Sequence, residues 1–278
     1  MKENHPLEGV PGFRILARIH EGLHSLAFRA VQDDGRRVVL KTTRHPGAPR
    51  ETAWLRREFE IASGLNIENV IRPFAFGGRD GTAFMSMEDF DGLDLRAWLR
   101  NRQLGLRQAL VAALGTAAAL EGIHRAKVIH KAVEPGNILF DPASGRVRLI
   151  DFGQAGLLPQ EQAELKNPRL FSWMLPYASP EQTGRMGMWL DYRTDLYSLG
   201  VVLYELFTGR APFLFEDPLE LIHAHLARLP VPPVDLNPMM GETLSELVLT
   251  LLAKNPEERY QSAWGVARDL ENCLERLD

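Results

Sequence analysis

The chain has 278 residues, 45% hydrophobic and 24% charged, which suits one large domain or two lobes with a sizeable core. Its net charge of -4 gives no general attraction to nucleic acid or anionic lipid, so neither is expected as a partner. One cysteine, Cys273, excludes an internal disulfide and a cysteine-rich zinc site, and the opening MKENHPLEGVPGF lacks the apolar core of a signal peptide, so a cytoplasmic, non-membrane protein is expected.

From Phe13 to about Met87 the pattern is mainly that of strands. FRILARIH, LAFRAVQ, RRVVLKTT, NVIRPFAFGG and TAFMSMEDF are short, apolar-rich and separated by turn residues, which predicts an antiparallel sheet. ETAWLRREFEIASGL interrupts them with Trp54, Leu55, Phe59, Ile61, Ala62 and Leu65 near helical spacing, so one helix is expected on that sheet. The character changes near Glu88 to Gly92. GLRQALVAALGTAAALEGIHRAK reads as a long buried helix, followed by the strand-like pieces VIHK, NILFD and RVRLIDFG. The weakly patterned stretch from Gln154 to about Pro176 is a candidate functional loop. DYRTDLYSLGVVLYELFTG then predicts a hydrophobic helix capped by Asp191 or Thr194, and weaker helices continue to the end.

Chemistry concentrates at a few points: Lys41 in VVLK, Glu58 on the first helix, the polar octet HKAVEPGN at His130 to Asn137, and Asp151-Phe152-Gly153 after VRLI. SPE at Ser179 to Glu181 and NPEERY around Arg259 complete the set. Phosphoryl transfer from a nucleotide needs a cover over the phosphates, a cation for them, oxygen ligands for magnesium and a base that orients the acceptor. The chain supplies most of these in that order. It resembles the eukaryotic-type serine/threonine protein kinase family over nearly all of residues 13 to 273. IHK, PYASPEQTGRM and LLAKNPEERYQSA give it the look of a degenerate member, similar to the N-terminal kinase-like domains of large bacterial multidomain signalling histidine kinases.

The resemblance implies an α+β, two-lobed protein kinase fold: an antiparallel-sheet N-lobe with one main helix at residues 13–88, and a mainly helical C-lobe at residues 89–277. It implies that Lys41 and Glu58 pair to hold nucleotide phosphates, and that Asn137 and Asp151 bind magnesium. Gly22 lies in the phosphate cover, Met87 is the gatekeeper, the adenine edge meets the backbone of Glu88 through Phe90, and Asp94 meets the ribose or else caps the helix LRAWLR. His130 and Phe152 join Ala62 in a packed column, Gly153 completes the metal motif, Glu181 and Arg259 form a buried ion pair, and Asp195 supports the catalytic loop.

Three departures matter. An active member has aspartate where Ala132 stands and usually lysine where Glu134 stands. A methyl group accepts no proton, and a carboxylate at 134 opposes the charge that develops on the phosphoryl group; each effect is worth about 10²-fold or more in rate. The threonine usually found ahead of SPE is replaced within Trp173-Met174-Leu175, and the phosphate cover keeps only Gly22. A Glu134 that faces solvent near Lys131 is expected.

On these grounds the sequence predicts a pseudokinase module and no enzymatic activity in this form. ATP and magnesium bind weakly, and the domain acts by conformation or docking on a protein partner or an output domain of the same polypeptide. Three alternatives stand beside it: a serine/threonine kinase silenced by an engineered alanine at 132, another ATP-dependent transfer such as that of AMP, and a scaffold without nucleotide. No dedicated metal site is read from His20, His24, His124, His223 or His225.

Overall fold

The computed structural model describes residues 12–101, 104–158, 175–184 and 190–277. The architecture is α+β in two lobes, and the chain divides into two compact units. The first runs as far as Asp91 and takes in Asp151–Gln154, although these lie far along the chain; the second comprises Gly92–Ile150 and the chain from Ala155 onward.

In the first unit β1 (Phe13–Glu21), β2 (Ser25–Gln32), β3 (Arg37–Thr43), β4 (Pro73–Arg79) and β5 (Thr82–Glu88) form one antiparallel sheet in the order β1-β2-β3-β5-β4. Period-two alternation sends Leu26, Phe28, Ala30, Val38 and Leu40 into one buried cluster. The one α-helix among the described residues of this unit, α1 (Pro49–Ser63), packs on β3, β4 and β5 and begins with proline at its first turn, where the missing N–H is no loss. Its buried stripe is Glu51, Leu55, Glu58 and Ala62. Two carboxylates thus occupy the inward face, while Trp54, Phe59 and Ile61 are only half-buried.

The second unit holds β6 (Leu93–Asp94), α2 (Leu95–Asn101), α3 (Leu106–Arg125), β7 (Val128–Ile129), β8 (Ile138–Asp141), β9 (Arg146–Leu149) and β10 (Gly156–Leu157). After these come α4 (Arg193–Thr208), α5 (Pro218–Ala227), α6 (Pro233–Leu236), α7 (Gly241–Leu251) and α8 (Ala263–Glu275). By length and composition α3 could cross a membrane, but here it packs against α8 and β9 and buries Leu110, Ala113, Ala117, Leu120 and Ile123. Strands β6, β8 and β9 make a small antiparallel sheet, and β7 pairs with β10. These short strands hold both ends of the octet that begins at His130. The hydrophobic helix α4 has no side-chain cap. Asp191 instead accepts from Arg193 N, and Thr194 turns its hydroxyl to Glu181.

Candidate active site

Lys41 is an inner residue of β3, not its last. Because Leu40 and Thr42 face inward, alternation turns Lys41 to the other side of the strand. Its Nζ lies 2.7 Å from Glu58 Oε2, 2.9 Å from Glu58 Oε1 and 3.1 Å from Asp151 Oδ1. One cation therefore bridges two carboxylates. Burial works against the Lys41 charge, but Asp151 and Glu58 outweigh it and raise the ammonium pKa. Burial pushes Glu58 up to about 7, with Lys41 opposing and Asp151 adding to the rise.

Asp151 has a φ of 66°, a left-handed conformation that strains a residue with a β-carbon. Gly153 permits the turn: a β-carbon there would stand 3.2 Å from Asp151 Oδ1, the oxygen that accepts from Gly153 N at 3.3 Å. Phe152 is fully buried in the same 3-10 turn, which packs on α1.

Gly22 closes the β1–β2 turn, donating its N–H to Ser25 O at 2.9 Å while Arg44 Nη1 donates to Gly22 O at 2.7 Å. A β-carbon at Gly22 would come within 2.9 Å of His20 Nε2. Met87 is buried on β5, Glu88 N donates to Arg72 O, and Phe90 is buried. The Asp89 carboxylate, which sequence reasoning missed, ties Arg29 of β2 and Arg37 of β3 at 2.9 Å each.

In the second unit the loop from His130 to Asn137 hangs on one buried carboxylate. Asp195 accepts from His130 N and Lys131 N, both at 2.8 Å, and meets His124 Nε2 at 2.9 Å. Burial opposes its charge, yet His124, His130 and these hydrogen bonds hold Asp195 below the usual carboxylate range. The role of His124 had no signal in the sequence. Lys131 takes a φ of 63°, its carbonyl accepts from Gln182 Nε2 at 2.8 Å, and His130 is buried with Nε2 3.0 Å from Ile150 O.

Ala132 is buried, and its carbonyl accepts from Asn137 Nδ2 at 2.9 Å. The Asn137 amide thus uses its nitrogen inside the loop, and its oxygen is the kind of donor a hard cation takes. Asp151, with a side chain 41% exposed, offers the same kind of donor in the first unit. Both fit magnesium chemically. Asp94 Oδ1 accepts from Ala97 N at 2.7 Å, so it caps α2.

Glu134 corrects the expectation. It does not face solvent near Lys131: it is buried and accepts from Arg96 Nη2 of α2. Its carboxylate is committed to a guanidinium. Glu181 and Arg259 form a fully buried two-bond pair at 2.7 and 2.9 Å. Trp173, Met174 and most of the stretch from Gln154 to Pro176 lie outside the described residues.

A model of the protein kinase domain matches residues 13–270. The chain belongs to the protein kinase family. A probable serine/threonine-protein kinase of Streptomyces coelicolor is 33% identical over 248 residues, covering 87% of this chain and 36% of the relative. Serine/threonine-protein kinase pkn3 of Myxococcus xanthus is 34% identical, with 93% and 49% covered, and PknB of Mycobacterium leprae is 32% identical, with 84% and 38% covered. The chain spans less than half the length of these relatives. Their names argue against the expectation of a domain without enzymatic activity and correct it, since two are named serine/threonine-protein kinases and the third a probable one. The narrower likeness to domains of bacterial histidine kinases has no counterpart among the three.

Proposed function

We propose that this protein kinase domain is an ATP-dependent serine/threonine kinase whose transfer step runs without a carboxylate at position 132. The observation that carries the reading is the bridge from Lys41 to Glu58 and Asp151, all within 3.1 Å, which keeps a fixed cation beside a metal-type carboxylate. Phosphoryl transfer demands little covalent chemistry from a protein, so positioning and charge supply most of the acceleration. Losing the residue that orients the acceptor slows such a reaction without abolishing it.

In this reading Lys41 holds nucleotide phosphate oxygens and Glu58 fixes Lys41. Asp151 in the first unit and Asn137 in the second each offer an oxygen of the kind magnesium takes, and magnesium would neutralise charge on the phosphates. Met87 and the Glu88 to Phe90 backbone serve the base of the nucleotide, and the acceptor is a protein hydroxyl. The greater length of the relatives supports an output or sensor segment on the same polypeptide as the partner.

The test is transfer of the γ-phosphate from labelled ATP with magnesium to a mixed protein acceptor. Slow transfer is expected from the natural chain, a gain on the order of 10²-fold to 10⁴-fold from Ala132→Asp, and loss with Lys41→Ala. No gain from Ala132→Asp, with no binding of ATP by calorimetry, would sink the reading.

A further inference from the structure

The family commonly places a lysine where this chain has Glu134, and the structure answers that change from a different element. Arg96, the second residue of α2, donates through Nη2 to Glu134 Oε2. The Glu134 side chain is 10% exposed and that of Arg96 44%, so the carboxylate is enclosed while the guanidinium reaches solvent.

Gly136 makes room for the pair. A β-carbon there would lie 2.9 Å from Glu134 Oε1 and 3.3 Å from Arg96 Nε. Gly136 is not among the residues with positive φ, so space and not backbone conformation calls for glycine. Three residues from two elements therefore depend on one another: a glutamate at the place of the lysine, an arginine that reaches it, and a gap that admits both.

The electrostatics give the arrangement its meaning. An unbalanced carboxylate in the octet would oppose negative charge growing on a transferring phosphoryl group, and in a partly dry site that opposition is strong. An arginine in contact cancels it.

We propose that Arg96 is a positioning residue of the transfer site: from α2 it neutralises Glu134, so that the acid standing where the family commonly has a lysine does not oppose the negative charge of transfer. The inference rests on the transfer activity proposed above. Its test is a cycle of variants assayed for transfer from labelled ATP to dephosphorylated casein, run in the natural chain and in Ala132→Asp. Arg96→Ala is expected to lower kcat on the order of 10-fold or more with the KM for ATP unchanged, and Arg96→Lys to retain most of the rate. Glu134→Gln added to Arg96→Ala is expected to recover the rate to within roughly 3-fold, because no carboxylate is left to balance.

A merely structural arginine would give a double variant as slow as Arg96→Ala, and that result overturns the proposal. So does a fall in rate that tracks melting temperature across the series. If Arg96→Ala does not fold, Arg96→Gln carries the same expectation. A silent natural chain beside an active Ala132→Asp chain counts against slow natural transfer alone, and the cycle is then read in Ala132→Asp. Silence in both backgrounds overturns both ideas.

Discussion

Among the glutamate–arginine pairs of the second unit, Glu181–Arg259 and Glu134–Arg96 share a composition and differ in character. Glu181 and Arg259 meet through two bonds with both side chains at most 2% exposed. Thr194 adds its hydroxyl to Glu181, and Arg259 also donates to the carbonyls of Ala253, Lys254 and Arg193. Every strong donor in that knot has an acceptor, so the pair acts as a rivet that joins the segment at Glu181 to the residues ahead of α8. Glu134 and Arg96 share the chemistry but leave the arginine half in water. Burial, more than residue type, separates a structural pair from one available for adjusting charge in the loop.

The largest effect expected from this contrast is at the rivet. Glu181→Ala leaves a buried guanidinium without its partner and should destabilise the chain by about 3–5 kcal/mol, read from urea unfolding. A loss no larger than that from Glu134→Ala would erase the distinction.

A third glutamate sharpens it in another way. Glu58 is as enclosed as Glu181, but its lysine is shared with Asp151, so two carboxylates compete for one cation. Its folded pKa of about 7 lies above the ordinary 4.5, so between these values the folded chain keeps a proton that the unfolded chain has lost. Stability should therefore fall as pH rises through this window, and Glu58→Gln should flatten that slope in pH-dependent melting. A cation placed beside Asp151 would weaken its push on Glu58. Binding of magnesium and ATP near neutral pH should thus release protons, seen as a calorimetric heat that varies with buffer ionisation.

Next in size is Gly136→Ala. The added methyl collides with Glu134 Oε1 at 2.9 Å and should cost about 1–3 kcal/mol, as overfilling a packed site does. Combining it with Glu134→Ala should remove most of that penalty, whereas additive losses would show that the collision lies elsewhere.

How far the sequence reveals these features follows from what periodicity and motif spacing report. Alternation along β3 and the helical stripe of α1 indicate which faces Lys41 and Glu58 occupy, and the wording around Glu181, Asp195 and Arg259 matches a pattern fixed by the fold. Neither source says which residue of a distant element meets a given side chain. Arg96 and Glu134 lie far apart in the chain with no shared local pattern, so Glu134 reads as a solvated acid until the fold brings α2 against the octet. His124 at Asp195 and Asp89 at Arg29 and Arg37 are hidden for the same reason. The grouping of Asp151–Gln154 with the first unit is likewise a matter of long-range packing.

The smallest expected effect is the one on which the comparison turns. Glu134→Gln keeps an acceptor for Arg96 and leaves the guanidinium half in water although the carboxylate is enclosed, so the stability change should stay near about 1 kcal/mol, well below that of a fully buried pair. Most of that difference should disappear in about 1 M salt, where the screening length shrinks to about 3 Å, while the loss from Glu181→Ala should persist because water and ions do not reach it. Denaturant midpoints for the two variants at low and high salt make the check. A glutamate that contributes so little to stability, enclosed by an arginine and a glycine gap, has its consequence in the charge of the loop and not in holding the fold together. A Glu134→Gln loss as large as that of Glu181→Ala and equally indifferent to salt would place both pairs in one structural class and remove the reason for assigning Arg96 a part in transfer.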